Sequence, residues 1–222
     1  MKNLSSYIDH TLLKQDANIQ SIKKLCQEAD EYDFCSVCVN SCYVKDAKEF
    51  LKNQNVKVCS VVGFPLGTMS TKAKAYEARC AIEDGADEID MVINVGWVKS
   101  DRYDLVESDI KELRLACKDV TLKVIFETAL LNEDEIRKIS KICKELKADF
   151  VKTSTGFSTR GASLRDVELM KSVVGDDVFI KAAGGIRSYK KALEMIKAGA
   201  NRLGTSSGVA IVKGEKAQEG SY

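Results

Sequence analysis

Short apolar runs alternate with stretches of helical spacing along most of the chain. Between the runs, apolar residues recur every three or four positions, as from Ile19 to Ala29 and from Ile136 to Leu146, which is the period of an amphipathic helix. The runs themselves have the length of buried strands, and they are Tyr7–Asp9, Phe34–Val39, Val56–Phe64, Glu88–Asn94, Leu122–Thr128, Phe150–Thr153, Val178–Ala183 and Arg202–Thr205. The pattern therefore predicts eight strands with helices between them.

A weak internal repeat supports this count. Asp33, Asp87, Asp149 and Asn201 each stand just before a predicted strand, about two βα units apart, and Asp and Asn tolerate the turn conformations that lead into a strand. The rival fold is an open doubly wound sheet, but the first predicted turn, D-H-T-L-L-K, lacks the glycine-rich phosphate loop expected there. We therefore predict one α/β domain over residues 1–222, a (β/α)8 TIM barrel, with a flexible polar tail from about residue 213.

Charge and targeting signals narrow the function classes. The chain has 34 basic and 33 acidic side chains and a formal charge of +1, so no broad positive field is available for nucleic acid or an anionic membrane. The N-terminus lacks the apolar region of a signal peptide, and no run reaches transmembrane length. We expect a cytoplasmic protein that binds neither nucleic acid nor membrane.

The eight cysteines raise the question of a metal site. Cys35, Cys38 and Cys42 are closely spaced, but a zinc site usually needs a second close pair or histidines, and the chain has one histidine, His10. In a cytoplasmic protein we expect reduced thiols, which act here as small buried apolar groups. We predict no metal and no cofactor.

Four charged residues stand out in the middle of the predicted strands, where a parallel barrel buries both faces. They are Asp9, Asp90, Lys152 and Lys181. Strands 6 and 7 share the phrase Phe-(Val/Ile)-Lys, and strand 4 has its aspartate at the corresponding third position. We therefore expect Lys152 and Lys181 to be neighbours that face Asp90 across the barrel interior.

Such an arrangement favours covalent chemistry. Two adjacent ammonium groups repel, so the less well paired one loses its proton more easily. A neutral buried lysine attacks a carbonyl to form a Schiff base, while the paired lysine and the carboxylate transfer protons. The alternative is a buried ion-pair network without chemistry, which stabilises a fold poorly, so we favour catalysis.

Three further polar residues near strand ends have other interpretations. Lys123 stands at the start of its predicted strand, so we expect a solvated position at the bottom of the barrel. Glu127, at the other end, faces the site or serves as a structural hydrogen-bond acceptor, and both readings stay open. His10, beside a strand aspartate, is interpreted as a packed, hydrogen-bonded residue rather than a base.

Glycine-rich turns follow the last three strands. The loops after strands 7 and 8 of many barrels bind phosphate through backbone N–H groups, and glycines allow close approach. Strand 7 is followed by A-A-G-G-I-R, strand 8 by G-T-S-S-G and strand 6 by T-S-T-G. The predicted phosphate-binding residues are Thr155, Gly156, Gly184, Gly185, Arg187, Gly204, Ser206 and Ser207.

The motifs together resemble one enzyme family. I-D-H-T-L-L, V-V-G-F-P-L-G, D-E-I-D-M-V-I-N, K-V-I-F-E-T-A-L-L, F-V-K-T-S-T-G, I-K-A-A-G-G-I-R and G-T-S-S-G occur in order between Tyr7 and Gly208. This set is similar to the deoxyribose-phosphate aldolase family of class I aldolases. The resemblance implies a carbon–carbon lyase that reversibly cleaves 2-deoxy-D-ribose 5-phosphate to acetaldehyde and D-glyceraldehyde 3-phosphate without a metal.

The resemblance also implies residue roles. Lys152 would form the Schiff base, Lys181 would perturb it and share proton transfer, Asp90 would act as acid and base with a water, and Asp9 would pair with Lys181. The phosphate would be held by Gly184, Gly185, Ser206 and Ser207. Some family members end in a tyrosine that assists proton transfer, and this chain ends in Tyr222.

Three other functions remain as alternatives. One is a Schiff-base aldolase or lyase that acts on a different phosphosugar. Another is a non-catalytic phosphosugar sensor, which would have little use for a neutral buried amine. A nucleic-acid binder is disfavoured by the balanced charge. The expected partner is a small phosphosugar, and a homodimer is the working expectation for the assembly.

Overall fold

Eight parallel strands close into a barrel in the computed structural model, which describes residues 3–215. Each strand pairs with the next in sequence, and β8 pairs with β1. The strands are β1 Ile8–Thr11, β2 Ser36–Val39, β3 Lys57–Val62, β4 Glu88–Val92, β5 Thr121–Ile125, β6 Phe150–Lys152, β7 Phe179–Ala183 and β8 Arg202–Thr205. The predicted (β/α)8 barrel and its eight strands are confirmed.

Helices cover the outside of the barrel. They are α1 Ile19–Tyr32, α2 Val44–Phe50, α3 Thr71–Glu83, α4 Val95–Lys99, α5 Tyr103–Ala116, α6 Glu133–Glu145, α7 Leu164–Val174, α8 Tyr189–Lys197 and α9 Gly208–Val212. Polar side chains cap the start of six of them, α1, α3, α4, α6, α7 and α8. The clearest case is α6, where Asn132 and Glu135 form a reciprocal capping box that satisfies two backbone donors at the helix start.

The Asp/Asn repeat fastens neighbouring strands together. The side chain of Asp87 accepts a hydrogen bond from the backbone N–H of Val58 at 2.9 Å, and Asp149 does the same for Leu122 at 2.8 Å. Asn201 accepts from Ile180 N–H at 2.9 Å. The residues before β4, β6 and β8 thus each bind the start of the preceding strand. Asp33 differs, because it ends α1 in the left-handed conformation with φ of 50°.

The apolar core lies between the barrel and its helices. On β7, Ile180 and Ala182 belong to the main hydrophobic cluster, whereas Lys181 is buried among charged groups. The barrel interior contains a much smaller apolar cluster of Leu13, Cys38, Cys59 and Val61. Alternation along most strands therefore sends polar side chains into the barrel and apolar ones towards the helices, while β2 and β3 contribute the interior apolar cluster.

None of the helices within residues 3–215 is both long and apolar enough to span a bilayer.

Candidate active site

Four consecutive strands each carry a buried charged residue at their third position. These residues are Asp90 on β4, Lys123 on β5, Lys152 on β6 and Lys181 on β7. Asp90 and Lys123 are register partners, as are Lys152 and Lys181. The common height is why the side chains meet, and the predicted layer of Asp90, Lys152 and Lys181 is confirmed.

Asp90 is the centre of this layer. Its Oδ2 accepts hydrogen bonds from Lys152 Nζ at 2.6 Å and from Lys181 Nζ at 2.8 Å. Its Oδ1 accepts one from Lys123 Nζ at 2.9 Å. Burial alone would raise the pKa of Asp90, but the charges of Lys123, Lys152 and Lys181 hold that pKa well below its usual range. Asp90 is therefore an anion at neutral pH.

Lys181 is held as a cation by two carboxylates. Its Nζ lies 2.6 Å from Asp9 Oδ2 and 2.8 Å from Asp90 Oδ2. Burial acts to lower the pKa of Lys181, yet the charges of Asp9 and Asp90 raise it well above the usual value. The predicted pair of Asp9 and Lys181 is confirmed.

Lys152 is the least well paired of the three lysines. Among the residues that the structure describes, its Nζ contacts the carboxylate of Asp90, whereas Lys123 and Lys181 each contact two carboxylates. The side chain of Lys152 is 3% exposed and that of Lys181 is fully buried. The expected asymmetry between the two neighbouring lysines is therefore present.

The prediction of a solvated Lys123 at the barrel bottom is wrong. Its side chain is fully buried, and Nζ donates to Glu88 Oε2 at 2.5 Å as well as to Asp90. The reason is the strand boundary. Strand β5 begins at Thr121 rather than Leu122, which puts Lys123 at the third position and beside Asp90.

Two further charged residues of the interior were missed from the sequence. Arg202 Nε donates to Asp9 Oδ1 at 2.6 Å, and its Nη1 and Nη2 donate to the two carboxylate oxygens of Glu88 at 3.1 and 2.9 Å. Nη2 also donates to Ser36 Oγ at 3.2 Å. One signal was available, because Glu88 stands two residues before Asp90 and so lies on the same face of its strand.

Two thiols lie next to Asp90. Cys38 and Cys59 are register partners on β2 and β3, and Cys59 Sγ donates to Asp90 Oδ1 at 3.1 Å. Within residues 3–215, the cluster with metal-ligand spacing consists of Cys38, Cys59 and Asp90. Cys35 and Cys42, from the spaced cysteines in the sequence, are not part of it. All eight cysteines are free thiols, as predicted.

Glu127 supports the turn after β6. It is 5% exposed and adopts the left-handed conformation with φ of 58°. Its Oε2 accepts hydrogen bonds from Thr155 Oγ1 and, at 3.3 Å, from Thr155 N–H. Burial raises the pKa of Glu127. Of the two readings that the sequence left open, these contacts favour the structural acceptor.

The predicted phosphate residues lie around the carboxyl ends of β6 to β8. Gly184 and Gly185 have φ of 85° and 74°, a conformation that favours glycine. A Cβ on Gly184 would lie 2.9 Å from the Cα of Gly161, so the turns after β6 and β7 touch. Arg187 is exposed on this rim, while Ser206 is half-buried and Ser207 is buried just before α9.

Gly204 lies within β8 rather than in the loop after it. A Cβ at this position would lie 2.9 Å from Ala183 Cβ and 3.1 Å from Lys181 Cε. The missing side chain makes room for Lys181, which explains this glycine without phosphate contact. Tyr222 lies outside the described residues.

Two hollows open on the face where the strands end. One, of about 150 Å³, lies beyond β3 to β6 and is lined by Pro65, Leu66, Val92, Val95, Glu127, Leu130, Thr155, Phe157 and Ser158. The other, of about 520 Å³, lies between the loop after β1 and α1 and includes Ser206. This face carries the active site of characterised (β/α)8 enzymes.

His10 points away from the charged layer. Its Nε2 lies 2.7 Å from Glu28 Oε2 on α1, and its ring packs against Phe34 with centroids 5.1 Å apart. The hydrogen bond with His10 lowers the pKa of Glu28. The interpretation of His10 as a packed, hydrogen-bonded residue is confirmed.

Known proteins match this chain over nearly its whole length. The family model for DeoC/LacD family aldolases matches residues 4–214. A deoxyribose-phosphate aldolase of Finegoldia magna is 59% identical over 211 residues, which cover 95% of this chain and 99% of the relative. One of Mannheimia succiniciproducens is 53% identical over 221 residues, covering 100% and 99%. The chain therefore belongs to the DeoC/LacD aldolase family, as the motifs predicted.

A solved structure agrees with this assignment. The chain matches the deoxyribose phosphate aldolase of Aeropyrum pernix, which is described as a tetramer, with a TM-score of 0.86 and 32% identity. The match covers 95% of this chain and 89% of that one.

Proposed function

We propose that the protein cleaves 2-deoxy-D-ribose 5-phosphate reversibly to acetaldehyde and D-glyceraldehyde 3-phosphate through a Schiff base on Lys152. Membership of the aldolase family and the names of the two relatives support the reaction. The assignment of the roles of Lys152 and Lys181 rests on one carboxylate oxygen that both lysines contact. Asp90 Oδ2 contacts both Lys152 Nζ and Lys181 Nζ, at 2.6 and 2.8 Å.

The charge balance of the interior identifies the nucleophile. Four basic groups meet three carboxylates there, and they are Lys123, Lys152, Lys181, Arg202, Asp9, Glu88 and Asp90. If all were ionised, one positive charge would be left unbalanced in a buried site, which is unfavourable. An uncharged Lys152 amine makes the cluster neutral and provides the free electron pair that attack on a carbonyl requires.

The mechanism follows from these positions. Lys152 Nζ attacks C1 of the open-chain sugar, and loss of water gives a protonated iminium. Asp90, acting with a water, removes the proton of the C3 hydroxyl, so the C2–C3 bond breaks and its electron pair moves into the iminium to give an enamine on C1 and C2. Glyceraldehyde 3-phosphate leaves. Lys181 and Asp90 return a proton to the enamine carbon, and hydrolysis releases acetaldehyde and restores Lys152.

The phosphate lies above this chemistry, on the rim around β6 to β8. Gly184 and Gly185 present backbone N–H groups, Ser206 and Ser207 present hydroxyls, and Thr155, Gly156 and Arg187 complete the set from the same rim. Tyr222 assists protonation of the enamine. The protein acts in the cytoplasm as a homodimer.

Reductive trapping tests the proposal. Acetaldehyde with borohydride should add one ethyl group per chain, and peptide mapping should locate it at Lys152. Lys152→Leu should abolish labelling, whereas Lys74→Leu, which removes another buried lysine, should leave it unchanged. Labelling of surface lysines, or none, would contradict the mechanism. Release of acetaldehyde from 2-deoxyribose 5-phosphate but not from other sugar phosphates would separate this function from that of another Schiff-base aldolase.

A further inference from the structure

Six charged side chains in the barrel interior form a closed ring in which positive and negative charges alternate. The ring runs Arg202, Asp9, Lys181, Asp90, Lys123, Glu88 and back to Arg202. The successive contacts are 2.6, 2.6, 2.8, 2.9, 2.5 and 2.9 Å. Every member is at least nine-tenths buried, so water screens these contacts little.

The ring is electrically neutral, and Lys152 stands outside it. Lys152 joins through Asp90 Oδ2. Arg202 and Glu88 lie on the far side of the ring, and neither is in contact with Lys152 among the described residues. They act on the carboxylates beside the two site lysines, since Arg202 donates directly to Asp9 and Glu88 accepts from Lys123, which in turn donates to Asp90.

We propose that Arg202 and Glu88 are positioning residues of the aldolase reaction, because by closing the ring they fix Asp9 and Asp90 and set the net charge that Lys152 faces. The inference rests on the proposed function. With the ring complete, Lys181 is paired with Asp9 and Asp90, and Lys123 with Glu88 and Asp90, so the charge balance leaves the uncharged amine to Lys152. When one ring member is neutralised, the net charge of the cluster changes by one unit. Loss of a negative charge makes the cluster bind fewer protons, and loss of a positive charge makes it bind more.

Other titratable groups face the ring and need a control. They are the thiols of Cys35, Cys38 and Cys59, which interact electrostatically with Arg202, Lys181 and Asp90 respectively. The hydrogen bond with Cys59 brings the pKa of Cys38 to about 7. Cys38→Ala therefore accompanies the ring variants, so that titration of this thiol is recognised.

The test is the acid limb of the pH dependence of kcat/KM for deoxyribose 5-phosphate cleavage. Glu88→Gln leaves the ring with a net positive charge, which opposes protonation of Lys152. The acid limb should therefore move to lower pH by about one unit or more. Arg202→Met leaves a net negative charge, and the limb should move to higher pH by a similar amount. The double variant should return the limb towards its original position. Arg202→Lys, which keeps the charge, should lower kcat without moving the limb.

Structural damage alone would not move the acid limb in opposite directions in Glu88→Gln and Arg202→Met. Asp109→Asn, which breaks the buried pair with Lys74 outside the ring (2.7 Å), provides the control and should lower stability with the limb in place. If Arg202→Met does not fold, Arg202→Lys and Glu88→Gln still decide. Unmoved limbs, or limbs moving the same way in Glu88→Gln and Arg202→Met, would overturn the inference. A wild-type protein that fails to trap acetaldehyde on Lys152 would instead overturn the proposed function.

Discussion

Lys152 and Lys181 are register partners on adjacent strands, and their side-chain nitrogens contact the same oxygen of Asp90. They differ in what else they touch. Lys181 also contacts Asp9, whereas Lys152 has no second carboxylate within the part of the chain that the structure describes. Two chemically identical side chains at the same height thus occupy different electrostatic environments, and this difference assigns them different roles.

Replacement of Lys181 tests this division of roles. Lys181→Leu should keep the fold but lower kcat/KM for deoxyribose 5-phosphate cleavage by about 10²-fold or more, the usual contribution of a proton-transfer group. The measurement is a steady-state assay for acetaldehyde, with circular dichroism to verify folding. Lys74→Leu serves as the matched control and should retain turnover. Near-normal turnover in Lys181→Leu would show that Lys152 is activated in another way.

Gly204→Ala distinguishes the two explanations of this glycine. The added methyl group would lie against Ala183 and the end of the Lys181 side chain, so overpacking of about 1–3 kcal/mol is expected together with displacement of Lys181. Cleavage of deoxyribose 5-phosphate and of unphosphorylated deoxyribose should therefore fall by the same factor. A loss of cleavage confined to the phosphorylated substrate, seen as a higher KM, would instead indicate that Gly204 contributes to phosphate binding.

The contact between His10 and Glu28 should affect stability and not catalysis. His10→Gln and Glu28→Gln should each lower the free energy of unfolding by about 1 kcal/mol and retain wild-type kcat. The folded-state pKa of Glu28 is lowered, so this contribution is present above the unfolded pKa of about 4.3 and is lost as the pH falls through the folded value. Urea unfolding at pH 7 and pH 3 should show a smaller effect of Glu28→Gln at pH 3. A His10→Gln variant without activity would contradict this reading.

The charged layer should make the protein sensitive to acid. Asp90 has a folded-state pKa well below its usual range, so it stabilises the fold above the unfolded pKa of about 3.9, and that stabilisation is lost as the pH falls below this value. In Asp90→Asn the slope of unfolding free energy against pH below 4 should be shallower, by up to about 1.4 kcal/mol per pH unit. Chemical unfolding between pH 2.5 and 7 measures both slopes. Equal slopes would mean that Asp90 takes up a proton as readily when folded as when unfolded.

The sequence predicted the barrel because both of its signals are local. Apolar runs and helical spacing depend on a few neighbouring residues, and all eight strands were found. The strand lysines and Asp90 were also found, because a charge in the middle of an apolar run is visible in the sequence. Glu88 and Arg202 escaped notice because each stands at the first position of its strand, where a solvated end is the usual expectation.

Lys123 shows how a small boundary error alters an assignment. A difference of one residue in the start of β5 decides whether Lys123 is placed at an exposed strand end or in the buried layer. The reason is that the height of a residue in the barrel depends on how its strand is paired with the neighbouring strands. Register is a property of paired strands and cannot be derived from one strand alone. The same limit applies to Gly204, whose interior position follows from its pairing with Ala183 and Asp9.

The hydrogen bonds from Asp87, Asp149 and Asn201 join β3 to β4, β5 to β6 and β7 to β8. Three strand pairs are thus each joined by a side-chain bond from the residue before the second strand, and within residues 3–215 no link of that kind joins β4 to β5 or β6 to β7. A two-strand module with its helices can therefore be copied, exchanged or recombined without cutting one of these links. The natural breakpoints for chimaeras between relatives lie after β4 and after β6. The same side-chain hydrogen bond recurs at Asp87, Asp149 and Asn201, which is the pattern expected if the barrel grew by tandem duplication of a two-strand module.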